Sequence, residues 1–275
     1  MNRLLLAAGV AALAHALSGC TTQTIAGAAM SAAAAKIAAG TAPAKEDLPE
    51  PKPDPKRAAA LRAELAAAYF GAGQLKVALE EAILAVKLDP ESAAAHNVLG
   101  LIYMELADDT LAAQNFQRAL RIDPQDPDAN NNFGWFLCER GKIRDSIPFL
   151  LKAARTPLYP AADRSLTNAG VCARRMGDEA GAVKFFEQAL QIQPFQPVAL
   201  FNLSEFAFRD GRLAEARRLM DRFMKSAQPS PEVLWLAIRI ERALGDRTQE
   251  LSYTAQLQRR FPESAEARLL AQPGR

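Results

Sequence analysis

Six of the prolines in this chain of 275 residues recur at nearly even steps, at positions 90, 124, 160, 194, 229 and 262, with spacings of 34, 36, 34, 35 and 33. Ahead of them the same residues return. Leu99, Gly100 and Tyr103 lead to Ala112, Phe116, Ala119 and Pro124; Ala169, Gly170 and Ala173 lead through Gly177 to Ala182, Phe186, Ala189 and Pro194. A period of this length implies stacked supersecondary units, none of which can bury its apolar face alone. The apolar share is 49%, carried largely by Ala and Leu, which favours helices over strands.

Six units are read at 59–92, 93–126, 127–160 (with two extra residues beyond it), 163–196, 197–230 and 231–264. Each is expected to be two antiparallel helices, A and B. Small residues recur at unit position 8 (Ala66, Gly100, Gly134, Gly170, Ser204) and at position 20 (Ala78, Ala112, Ser146, Ala182, Ala216). They let the two helices approach closely, while larger residues at positions 7, 11 and 24 fill the space around the contact. Gly73, Gly141, Gly177, Gly211 and Gly245 fall in the turns between A and B, where a positive φ is cheap for glycine. The periodic prolines end the B helices. The sixth unit carries Ile238 and Glu250 at the two small positions, as a terminal repeat that serves as a cap. The pattern resembles the tetratricopeptide (TPR) signature and implies an all-α, superhelical TPR solenoid of six helix-turn-helix repeats over 58–264, with 265–275 as a tail.

In a TPR solenoid the A helices line a concave face through unit positions 2, 5, 6, 9, 12 and 13. In the first two units Ala60, Ala63 and Ala67 would make a low floor, with Phe70, Leu101 and Met104 along its sides. Such a groove suits an amphipathic helix or an extended apolar segment; the alternative is that these residues pack against the N-terminal tether. Further along, Asn97 and Asn131 stand at position 5 and Asn132, Asn168 and Asn202 at position 6. An amide ladder one repeat apart offers donors and acceptors to a peptide backbone, or else bridges neighbouring helices.

The near balance of 33 Lys+Arg against 31 Asp+Glu argues against a nucleic-acid partner. With two histidines and three cysteines there is little material for a metal site or a His-based catalytic site. His96, at unit position 4, reads as a core residue, and no nucleophile–base pair, phosphate loop or metal-binding helix motif is evident. No enzyme activity, cofactor, metal or small-molecule substrate is expected. Cys138 and Cys172 lie 34 residues apart on the A helices of units three and four. In an oxidising compartment their spacing favours a disulfide across adjacent repeats, with two independent buried thiols as the alternative.

The N-terminus reads as an address. Arg3 supplies a positive start, 4–17 is apolar apart from His15, and the run is short and Ala-rich for a membrane span. Its end, Leu17-Ser18-Gly19-Cys20, resembles a bacterial lipobox. That resemblance implies cleavage after residue 19, acylation of Cys20, and, because Thr21 rather than Asp follows, sorting to the outer membrane, facing the periplasm. Residues 20–57 hold the lipidated Cys and an Ala- and Pro-rich tether. Pro43, Pro49, Pro51, Pro53 and Pro55 favour extended polyproline-II structure there.

Segments of three repeats are specific enough to suggest a family. Asn131-Asn132-Phe133-Gly134-Trp135-Phe136-Leu137-Cys138 resembles the third-repeat motif of the type IV pilus biogenesis/stability lipoproteins, PilF or PilW. Asn168-Ala169-Gly170-Val171-Cys172-Ala173-Arg174-Arg175 resembles their fourth. Leu234 to Ile240, Gly245-Asp246-Arg247 and Gln256 to Pro262 resemble their C-terminal repeat. The resemblance implies a pilotin: a monomeric lipoprotein, held in the outer membrane by acyl chains on Cys20, that binds secretin subunits and promotes their assembly. A lipid-anchored TPR scaffold for another envelope machine, serving β-barrel insertion or peptidoglycan synthesis, is the alternative.

Overall fold

The computed structural model describes residues 54–270; the segment read as a signal peptide at 1–19, Cys20, the expected tether up to residue 53 and the last five residues lie outside the described residues. The described chain has thirteen helices and no strand. The A helices are α1 (Pro55–Gly71), α3 (Ala93–Glu105), α5 (Pro127–Glu139), α7 (Ala162–Arg175), α9 (Pro197–Arg209) and α11 (Pro231–Leu244). The B helices are α2 (Leu75–Leu88), α4 (Asp109–Ile122), α6 (Ile143–Ala154), α8 (Glu179–Ile192), α10 (Leu213–Ser226) and α12 (Arg247–Arg260), and a short α13 (Ala265–Leu270) follows. Each A helix packs on its own B helix and on the next A helix, giving the all-α TPR solenoid of six repeats.

Local chemistry explains the boundaries. Asp54, Ser92, Asp126, Gln196 and Ser230 cap A helices, their side chains accepting from a backbone N–H of the first turn. Each such cap contributes about 1 kcal/mol. Pro55, Pro127, Pro197 and Pro231 occupy the first helical position, where the missing N–H is no loss. Pro55 is therefore the start of α1, and the tether ends earlier than the spacing of its prolines suggests. The segment 265–275 was expected as a tail; instead 265–270 is helical, and Ala267 packs with Leu234, Ile238 and Leu257. This helix covers the terminal repeat, and Ile238 is fully buried beneath it.

The six turns between A and B helices share one left-handed residue. It is glycine in five, with φ between 72° and 82°, but Ala107 in the second unit, at φ 58°. Inside the hairpins, position 8 meets position 24. A Cβ placed on Gly100 would lie 2.6 Å from the ring of Phe116, one on Gly134 2.8 Å from Leu150, and one on Gly170 2.6 Å from Phe186. Those three large side chains are fully buried. In unit one the size relation is relaxed on both sides, with Ala66 and Ala82, both buried, at the two positions. In unit five Ser204 occupies position 8 and its hydroxyl donates to the Ala216 carbonyl at 2.9 Å.

The junction between units three and four departs from the rest. Elsewhere four residues separate a B helix from the next A helix; here residues 155–161 do so, and α7 opens on Ala161 without a side-chain cap. On the A-helix side this junction is pinned: Cys138 of α5 and Cys172 of α7 form a disulfide with a Cα–Cα distance of 5.9 Å, buried with Leu150 and Ala169. No helix among the described residues is long and apolar enough to cross a membrane.

Candidate functional site

Side chains of α1, α3 and α5, with Arg164 of α7, enclose a hollow of about 430 Å³ on the concave side. Small side chains make the hollow possible. Ala60 and Ala67 are exposed along its floor, Ala63 is buried at its base against Ala85 and Ala95, and Leu101 forms one wall. Phe70 and Met104, expected along the sides, do not line it. Phe70 packs into the cluster of Ala66, Ala82 and Ile102, and Met104 onto that of Phe116 and Phe136. Position 12 in these units points between repeats rather than into the groove.

The rim is acidic. Glu64, Asp126 and Asp128 border the hollow against a single cation, Arg164. Burial, with further help from Asp128 and Asp123, pushes the Asp126 carboxyl up. The phenol of Tyr159, in the lengthened junction, donates to Asp128 Oδ1 at 2.7 Å. Its own pKa is pushed up to about 12 by burial and by that carboxylate.

The asparagines join into a network across three repeats. Asn132 Nδ2 donates to Asn97 Oδ1 at 3.2 Å, and Asn131 Nδ2 donates to Asn132 Oδ1 at 3.1 Å. Asn131 Oδ1 accepts from Ser165 Oγ at 3.0 Å and from Asn168 Nδ2 at 3.1 Å. Asn97 and Asn132 line the main hollow, while Asn131, Asn132 and Asn168 line a smaller adjoining one with Trp135 and Arg164. Asn202 stands apart. It donates to the Val198 carbonyl and accepts from Arg174 Nη1 at 2.5 Å. His96 bridges α3 to its surroundings, its ring nitrogens 3.0 Å from Asn115 Oδ1 and 3.1 Å from the Pro90 carbonyl.

Beyond Asn168 the concave face carries arginines stacked on aromatic rings, which the repeat pattern did not reveal. Arg175 lies over Trp135 at 5.4 Å, and Arg239 over Phe208 at 4.6 Å. The sequence signal is Arg at positions 12 and 13 of unit four, 13 of unit five, and 9 and 12 of unit six. The C-terminal repeats are tied by buried carboxylates: Glu241 pairs with Arg217, which also reaches Asp246, and Glu250 pairs with Arg242 and Arg247. Among the described residues no three His, Cys, Asp or Glu side chains are grouped as a metal site.

Tetratricopeptide-repeat families match residues 63–127, 115–147 and 173–237. The type IV pilus assembly protein PilF of Pseudomonas aeruginosa is 30% identical over 193 residues, spanning 70% of this chain and 75% of that protein. The chain belongs to the PilF family. The solved structure of Pseudomonas aeruginosa PilF superposes with a TM-score of 0.74 at 27% identity, covering 79% of this chain and 98% of that one. The crystal structure of PilW, described as a widely conserved type IV pilus biogenesis factor, gives 0.69 at 29% identity, covering 78% and 98%. As a PilF-family member the chain is a TPR protein of type IV pilus biogenesis, and a TPR protein of that system works through protein–protein interaction.

Proposed function

We propose that the protein is an outer-membrane lipoprotein pilotin. Anchored through acylated Cys20, it binds subunits of the type IV pilus secretin in its concave groove and promotes their localisation and multimerisation at that membrane. The observation that carries this reading is the kinship with PilF over nearly all the repeats, joined to an open hollow over the first three. The hollow offers an Ala floor for small apolar side chains, amides for a peptide backbone and carboxylates for cations, a combination suited to a protein segment rather than a metabolite. Anchoring concentrates captured subunits on one surface, so that assembly is favoured by effective concentration alone, without catalysis.

Two variants test it. Cys20→Ala is expected to leave the repeats folded but to displace both the protein and the secretin multimer from the outer membrane. Ala67→Arg fills the floor of the groove at an exposed position and is expected to abolish recovery of the secretin from cross-linked membranes. Normal secretin multimer in the outer membrane of the Cys20→Ala strain refutes the pilotin mechanism. Recovery of β-barrel or peptidoglycan-synthesis proteins in place of a secretin would show that the client is another one.

A further inference from the structure

The lengthened junction between units three and four opens a second hollow, away from the concave groove. It measures about 500 Å³ and lies between α6, α7 and α8. Leu151, Leu166 and Phe185 give it an apolar floor, and Arg155 and Lys184 stand exposed at its edge. Arg155 also belongs to an adjoining hollow that contains Lys152 and Pro157 and borders the junction. None of the residues lining either hollow is acidic. Neither Lys152, Arg155 nor Lys184 has a carboxylate partner among the described ion pairs.

The same place one repeat further on shows what is special here. The equivalent hollow, between α8, α9 and α10, measures about 280 Å³ and sets Glu187 and Glu215 beside Arg212, Arg218 and Arg222, with Glu215 bonded to Arg212. At the corresponding positions the junction of units three and four has Leu151 and Gly181. With both carboxylates gone, Arg155 and Lys184 have no acidic neighbour in the lining, and losing the bulk of Glu215 widens the space. Leu158, at φ 60°, is fully exposed in the same junction. A nearly neutral chain thus segregates its charge: the concave hollow has three carboxylates to one cation, and this one only cations.

We propose that the hollow between α6 and α8 is a second docking site, which takes an acidic, amphipathic segment of a partner protein. Its apolar side chains lie on Leu151 and Phe185, and its carboxylates meet Arg155 and Lys184, with Lys152 extending the cationic edge. The charge complementarity selects the occupant, since an apolar floor rimmed by cations disfavours basic segments as strongly as it favours acidic ones. Because the disulfide holds α5 against α7 on the other side of the junction, the opening is a fixed feature of the repeat stack. The site is independent of the pilotin reading, and a protein with another client would keep it.

The test uses the full chain and three fluorescein-labelled synthetic peptides of equal length and pattern, built from Leu and Glu, Leu and Gln, or Leu and Lys, followed by anisotropy. The Leu/Glu peptide is expected to bind best, and the paired reversal Arg155→Glu, Lys184→Glu to weaken it about tenfold or more. Both positions are exposed, and circular dichroism of the variant should match the parent. Ala67→Arg, in the concave groove, should leave this binding unchanged. Equal binding of the Leu/Lys peptide overturns the proposal, as does loss of Leu/Glu binding on Ala67→Arg. Sedimentation with phosphatidylglycerol vesicles or self-association that disappears with the same reversals, in place of peptide binding, also overturns it.

Discussion

Gly170→Ala tests the idea that each hairpin is closed by a pairing of sizes between unit positions 8 and 24. The added Cβ would sit 2.6, 2.7 and 2.9 Å from three atoms of the Phe186 ring. Carbon atoms at rest stand about 3.5–4.0 Å apart, so the ring or the helix must move. Phe186 is fully buried and has no free side to move toward. Overpacking of this kind costs about 1–3 kcal/mol, and three such contacts place it in the upper part of that range. Against this, Ala is preferred to Gly inside a helix by about 1 kcal/mol. The net expectation is a loss of about 1–2 kcal/mol. Phe186→Ala alone should cost about 3–5 kcal/mol through the cavity it leaves. The double variant recreates the Ala66 and Ala82 pairing of unit one, and should be more stable than the sum of the two losses by at least about 1 kcal/mol. Urea unfolding followed by circular dichroism measures all three. A Gly170→Ala protein as stable as its parent, or strictly additive losses, refutes the size-pairing argument.

Ala107→Gly should raise stability by about 0.5 kcal/mol, because a left-handed Ala costs about 1–2 kcal/mol and the freer unfolded chain returns up to about 1 kcal/mol of that; the shift of the urea midpoint reports it. Asn131→Ala should cost about 1–2 kcal/mol, since it leaves the buried hydroxyl of Ser165 only the Ala161 carbonyl, at 3.5 Å, to donate to, whereas Asn168→Ala, at a half-buried position, should cost under about 1 kcal/mol in the same assay. The Glu250 carboxyl is held below its ordinary value of 4.5 by bonds from Arg242 and Arg247. Its contribution to stability is therefore complete above that value and is lost as the pH falls through its lower, folded one. Glu250→Gln should flatten this acid limb in a pH series of urea midpoints, and an unchanged limb would show that other carboxylates govern it.

The repeat was legible because it is written in residues that tolerate few substitutes: glycines in left-handed turns, small residues where two helix backbones meet, and prolines past helix ends. The same logic put Cys138 and Cys172 on adjacent A helices and favoured a disulfide between them, and the structure joins them. What escaped the sequence depends on neighbours far along the chain. Phe70 and Met104 were assigned to the groove by position, but whether position 12 faces the groove or the next repeat depends on how much room that repeat leaves. The stacks of Arg175 on Trp135 and of Arg239 on Phe208 join residues of different repeats, so no local pattern announces them. Ala107 was missed because the turn signal sought was glycine, and the helical turn of α13 because a short segment shows too little periodicity. The hollow between α6 and α8 goes with a junction three residues longer than the others together with two missing glutamates, neither of which signals a hollow when taken alone.

The asparagines that first read as one ladder divide by hydrogen-bond capacity. Asn131 is buried, and both lone pairs of its Oδ1 are taken, one by Ser165 and one by Asn168. Its carbonyl oxygen has nothing left for a ligand, and the residue holds unit three to unit four. Asn97, Asn132 and Asn168 each give the network one or two bonds out of the four that an amide can form. Their remaining capacity takes no partner among the described residues, and all three line a hollow. Amides that meet a peptide backbone are indifferent to its side chains, so on the proposed reading they supply grip without choice. Selectivity then falls to the parts of the groove that are not amide: an Ala floor that admits only what its depth allows, and the carboxylates of Glu64, Asp126 and Asp128, which favour a client segment bearing Lys or Arg beside small apolar residues. The hollow between α6 and α8 has the opposite charge, so one client segment would not satisfy both.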